Sequence, residues 1–93
     1  STIPPNKINN NVISGNDGDG IEIFSENAAV TIVSNNRIGT SASGLAAIPN
    51  GTGGGDGHGV RLNSFTYANV IGPGNIISGN SSDPNSHGVA LIP

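Results

Sequence analysis

Asp17-Gly-Asp-Gly-Ile-Glu-Ile23 returns twice along the chain, as Asp56-Gly-His-Gly-Val-Arg-Leu62 and as Asn85-Ser-His-Gly-Val-Ala-Leu91. Each copy is a run of turn formers, then a glycine, then apolar, any residue, apolar. The two-residue period of the last three positions is that of a strand with one buried face. Alternating with these copies are three stretches of a second kind: Ile8-Asn-Asn-Asn-Val-Ile13, Ile32-Val-Ser-Asn-Asn-Arg-Ile38 and Ile71-Gly-Pro-Gly-Asn-Ile-Ile77. In each, an asparagine (Asn11, Asn36, Asn75) precedes an isoleucine by two residues. Two strand-like patterns therefore alternate, three times over.

The spacings predict the architecture. The step from the glycine to the next such asparagine is the same both times, Gly20 to Asn36 and Gly59 to Asn75. The return step varies: it is shortest from Asn11 to Gly20, longest from Asn36 to Gly59 and intermediate from Asn75 to Gly88. A unit as long as the stretch from Asn11 to Asn36 thus recurs, enlarged by insertions at one corner only. A solenoid accommodates loops in this way, because the constant path must stack on its neighbours while an insertion leaves at a corner. At about 3.3 Å per strand residue, a unit of about 25 residues traces roughly 80 Å, enough for one turn of a three-sided coil.

Composition agrees with short strands. Of the 31 hydrophobic residues 18 are Ile or Val, whose branched side chains suit a pleated sheet, and 40 of the 93 residues are Gly, Asn or Ser. A net charge of -3, with only three Lys and Arg, leaves no basic stripe for phosphates, so nucleic acid is not expected as a partner. The apolar runs fall far short of the roughly 20 residues of a membrane-spanning helix, and no N-terminal stretch reads as a signal peptide. Without cysteine there is neither a disulfide framework nor a thiolate metal site.

Asn11-Val-Ile-Ser-Gly-Asn16 with the following Gly-Asp-Gly-Ile, Asn36-Arg-Ile-Gly-Thr40, Ala-Ile-Pro-Asn at 47–50, Gly-Val-Arg-Leu at 59–62 and Asn75-Ile-Ile-Ser-Gly-Asn80 together resemble right-handed parallel β-helix repeat proteins of the pectate-lyase-like superfamily. They are similar in particular to long secreted or surface-associated bacterial chains built from tandem repeats. The resemblance spans nearly the whole chain. It implies an all-β right-handed parallel β-helix of about three coils, and an extracellular or cell-surface location. Function does not follow from it, because the superfamily spans lyases, hydrolases, adhesins and tailspikes.

On that fold, Ile21, Val60 and Val89 form one interior column and Ile23, Leu62 and Leu91 another, with Glu22, Arg61 and Ala90 pointing outward. Glu22 and Arg61 become an exposed opposite-charge pair. Asn11, Asn36 and Asn75 form an amide ladder at a bend. Residues 40–55 include no charged residue and read as an inserted surface loop.

Candidate chemistry is sparse. Gly57-His58-Gly59 resembles the Gly-His-Gly motif of polygalacturonases, but the Asn-Thr-Asp, Asp-Asp and Arg-Ile-Lys of that family are missing, so no catalytic residues are expected. Asp17, Asp19 and Asp56 are a candidate calcium set, and His58, His87 and Asp19 a candidate metal column, each weighed against ordinary turn chemistry. No cofactor is expected. Phe24, Phe65 and Tyr67 are the aromatic residues available to a polysaccharide. Asn50-Gly-Thr52 and Asn80-Ser-Ser82 fit the glycosylation sequon.

The chain also closes on itself in register. From Gly88 to Asn11 of a following copy the step equals that from Gly20 to Asn36 and from Gly59 to Asn75, so one copy makes three whole coils of unequal length. Residues 1–93 are therefore expected to be one period of a longer array, or a subunit that stacks head to tail through Ile3, Ile8, Val89, Leu91 and Ile92. A structural filament or stalk is the leading expectation, ahead of an adhesin or glycan-binding module and of a polysaccharide lyase or hydrolase fragment.

Overall fold

The computed structural model describes residues 4–23, 30–53, 57–63, 69–81, 83 and 85–92. Among them are nine short strands and no helix: β1 (Asn6–Asn9), β2 (Val12–Ile13), β3 (Ile21–Ile23), β4 (Thr31–Ser34), β5 (Arg37–Ile38), β6 (Val60–Leu62), β7 (Val70–Ile71), β8 (Ile76–Ile77) and β9 (Val89–Leu91). They form three parallel sheets in the orders β1-β4-β7, β2-β5-β8 and β3-β6-β9. The chain thus visits each sheet once per circuit and makes three circuits, an arrangement consistent with a β-helix-like solenoid. Its shortest dimension, 16 Å, is close to three strand spacings of about 4.8 Å.

Register places equivalent residues of the three circuits in line. Ile21, Val60 and Val89 are paired across β3, β6 and β9, as are Ile23, Leu62 and Leu91. Two further apolar columns complete the interior, Ile8–Val33–Ile71 and Ile13–Ile38–Ile77. The middle circuit is sealed: Val33, Ile38 and Val60 are all 0% exposed. At the end of the stack the same columns meet solvent, with Val89 at 42% and Leu91 at 75% exposure. Position in the stack, rather than residue type, sets that difference.

The turns explain the recurrent polar residues. At the bend between the first and second sheets the residue before the ladder asparagine takes a left-handed backbone in every circuit: Asn10 (φ 62°), Asn35 (φ 57°) and Gly74 (φ 82°). Asparagine and glycine are the residues that reach this region most cheaply.

The glycine that precedes each β3-type strand has a different cause, since none of Gly20, Gly59 and Gly88 has a left-handed φ. A Cβ on Gly20 would lie 2.7 Å from the Gly59 carbonyl oxygen, and one on Gly59 would lie 2.6 Å from that of Gly88. At Gly20 and Gly59 the circuits approach too closely for any side chain.

Two expectations are revised. Ala90 lies on the outer side by register with Arg61, yet it is only 4% exposed. Residues 40–55 are not surface loop throughout, and 54 and 55 lie outside the described residues. Thr40 bridges Ala47 and Ile48 N–H donates to the Gly39 carbonyl, closing the loop on itself, and Asn50 and Gly51 are already buried in the body.

The gradient from sealed middle to open end is testable. Ile38→Ala should lower the unfolding free energy of the dilute chain by about 2–5 kcal/mol. Leu91→Ala, three-quarters exposed, should change it by less than about 0.5 kcal/mol in the same urea titration.

Candidate functional site

Three ladders of side chains run across the circuits, the first on the connection between the first and second sheets and the other two on the connection between the second and third. In the first, Asn36 Oδ1 accepts from the Asn11 main-chain N–H at 2.9 Å and from Asn11 Nδ2 at 3.2 Å. Asn75 Oδ1 accepts the same pair from Asn36, at 3.0 and 3.2 Å. Each amide also reaches back to the preceding strand: Asn36 Nδ2 donates to the Ile8 carbonyl at 2.8 Å and Asn75 Nδ2 to that of Val33 at 2.7 Å. Asn36, 0% exposed, therefore has both ends of its amide satisfied by two neighbouring circuits.

The second ladder, Asn16–Asn50–Asn80, repeats this pattern at the next corner. Asn50 Oδ1 accepts from Asn16 N–H at 3.1 Å and Nδ2 at 2.9 Å, and Asn80 Oδ1 from Asn50 N–H at 3.4 Å and Nδ2 at 2.7 Å. Asn50 Nδ2 and Asn80 Nδ2 donate back to the carbonyls of Ile13 and Ile38. Asn50 and Asn80 are the two sequon asparagines, so both side-chain amides are committed inside the fold. The signal was present in Ile13-Ser-Gly-Asn16 and Ile77-Ser-Gly-Asn80, where asparagine follows isoleucine by three. In the middle circuit the inserted loop carries Asn50 far past Ile38 and hides the match.

The third ladder joins Asp19, His58 and His87 and runs in the opposite donor direction. Asp19 Oδ1 accepts the His58 main-chain N–H at 2.8 Å, and His58 Nδ1 accepts that of His87 at 2.9 Å. Accepting at Nδ1 requires that nitrogen to carry no proton. The two imidazoles stack with centroids 5.5 Å apart and planes within 4°. His58 is 3% exposed. Asp19 Oδ2 lies 3.8 Å from the Arg61 guanidinium, so neither oxygen of this carboxylate is idle.

Arg61 and Glu22 are neighbours by register, but the guanidinium turns to Asp19 and Asn63. Arg61 Nε donates to Asn63 Oδ1 at 2.9 Å, and Asn63 Nδ2 donates to Glu22 Oε2 at 3.1 Å. An asparagine thus stands between the two charges.

The candidate residues fall as follows. Asp17 is exposed and apart from the ladder, and Asp56 lies outside the described residues, as do Ile3, Phe24, Phe65 and Tyr67. No group of three metal-binding side chains occurs among the described residues. The end faces are the most distinctive surfaces. At one, β1, β2 and β3 are edge strands; at the other, β7, β8 and β9. Val89, Leu91 and the half-buried Ile92 lie at the second end, Ile8 at the first.

The ladders are cut at both faces. Among the described residues nothing donates to Asn11 Oδ1 or Asn16 Oδ1, and Asn11 Nδ2 bends back to the nearby Asn9 carbonyl at 3.2 Å. At the far face the main-chain N–H groups of Asn75 and Asn80, and His87 Nδ1, likewise meet no partner among the described residues.

Removing a rung should cost most where both neighbours exist. Asn36→Ala should destabilise the dilute chain by roughly 2–3 kcal/mol, since it leaves the Asn11 N–H and the Ile8 carbonyl unpaired. Asn11→Ala, at the open end, should cost less than about 1 kcal/mol in the same denaturation series.

Comparison of the chain with protein-family models, with curated proteins and with solved structures returns no match.

Proposed function

We propose that the chain is the repeating unit of a right-handed parallel β-helix, a structural subunit that stacks head to tail in register within an extracellular filament or surface stalk. One observation supports this reading: the acceptors without partners at one end face match the donors without partners at the other. One face offers the acceptors Asn11 Oδ1 and Asn16 Oδ1, and the other the N–H donors of Asn75 and Asn80. Placing a second copy one strand spacing beyond β7, β8 and β9 sets these groups opposite each other, in the geometry that already joins Asn11 to Asn36 and Asn36 to Asn75. The apolar columns continue through the same junction, with Leu91 and Val89 stacking on Ile23 and Ile21 of the next copy. A contact of this kind uses two different surfaces and does not close, so it extends into a fibre. It also removes the exposed strand edges that would otherwise invite irregular pairing.

The right hand and the extracellular setting rest on the family resemblance, and copies of the chain as partner on the matching groups of the two end faces. Buried amide ladders and continuous Ile and Val columns suit a stiff polymer that is hard to dissociate.

Gly88 provides the test. Its equivalents Gly20 and Gly59 have no room for a Cβ, because the next circuit's carbonyl lies on them. A Cβ on Gly88 would meet only Ile77 Cγ2, at an ordinary 3.6 Å. Gly88→Ala should therefore leave the circular dichroism spectrum and the urea midpoint of the dilute chain unchanged while abolishing filaments by electron microscopy and sedimentation. A wild-type chain that stays monomeric at every concentration, or a Gly88→Ala chain that polymerises like wild type, would overturn the proposal.

A further inference from the structure

Resting on the head-to-tail reading, we infer that His87 is the acceptor that carries the third ladder across the junction, binding the main-chain N–H of Asp19 in the following copy. The inference extends a pattern that occurs twice within the chain. Asp19 accepts the N–H of the residue one circuit on, His58, and His58 in turn accepts that of His87. His87 Nδ1 is the third acceptor in this line, and the residue one circuit beyond it is Asp19 of a second copy. The His87 ring is exposed in the single chain and stacked on His58. It stands ready at the face where the next copy docks.

This ladder differs chemically from the other two. Asparagine does not titrate, and its ladders run with main-chain donors on the earlier circuit. The histidine ladder runs the other way, so the junction carries donors and acceptors on both faces. A copy docked upside down, or shifted by one residue, would set donor against donor. The pattern therefore selects orientation and register.

It also makes the contact responsive to acid. A proton on His87 Nδ1 converts the acceptor into a donor aimed at an N–H. The facing charged groups are few. Asp19 of the next copy has one oxygen on the His58 N–H and the other near Arg61, so it is not free to turn toward an imidazolium. On the other side lies the His58 ring, 5.5 Å away, which adds repulsion when both rings are charged. A proton on this ring therefore opposes the junction, and acid should weaken assembly.

The experiment measures the critical concentration for filament formation by sedimentation at pH 7.5 and pH 5.0, for wild type, His87→Asn and His58→Asn. Circular dichroism of the dilute chain reports the fold at each pH. Asparagine supplies an acceptor oxygen that does not titrate. Wild type should show a rise of about tenfold or more at pH 5.0, His58→Asn should keep most of that rise, and His87→Asn should show little. A wild-type critical concentration that does not change with pH would overturn the role of His87 and leave the stacking reading intact. So would an equal rise in the His87→Asn chain. Failure of wild type to assemble at pH 7.5 would overturn both.

Discussion

Every circuit of this chain is held by the same constraint, the roughly 4.8 Å step between parallel strands in register. At that separation the side chain of one circuit lies directly on its counterpart in the next. Like must therefore tolerate like. Isoleucine, valine and leucine do so as columns of methyl contacts. Asparagine does so because its amide carries a donor at one end and an acceptor at the other, so identical residues bond in series. Glycine does so where the main chains themselves come within touching distance. The repetition in the sequence is the direct imprint of this step, and the polar corners are as much part of the fold as the apolar interior.

Stacking in one dimension also explains where stability is concentrated. Only the middle circuit has a neighbour on both sides, and its Val33, Ile38, Val60, Asn36 and Asn50 are the fully buried side chains among the described residues. The outer circuits have the same residue types in the same columns with one side open. A three-circuit stack is thus two-thirds boundary, which is the general weakness of a short solenoid and the reason that natural ones are long or capped. Extending the stack by adding a copy converts two boundary circuits into interior ones without any change of sequence.

Much of this was legible before the structure. The columns through Val60 and Leu62 and the first amide ladder follow from spacing, because residues on a constant path keep constant intervals. What spacing concealed was the second ladder: the loop after Gly39 breaks the interval to Asn50, and only the three-dimensional return of the chain restores it. The histidine ladder was legible as a recurrent position but not as a hydrogen-bond relay, since nothing in Gly57-His58-Gly59 shows that the ring faces a main-chain N–H. Asn63, which separates Arg61 from Glu22, belongs to no repeated pattern and was invisible to an argument from repeats.

The central claim is that the end faces join as the internal circuits do. Its most direct test is the helical rise of the assembled material by electron cryo-microscopy. Continuous stacking predicts a rise of about 14–15 Å per copy of the chain, three strand spacings of about 4.8 Å with no gap at the junction. A rise unrelated to that multiple, or filaments whose strands are interrupted between subunits, would contradict it.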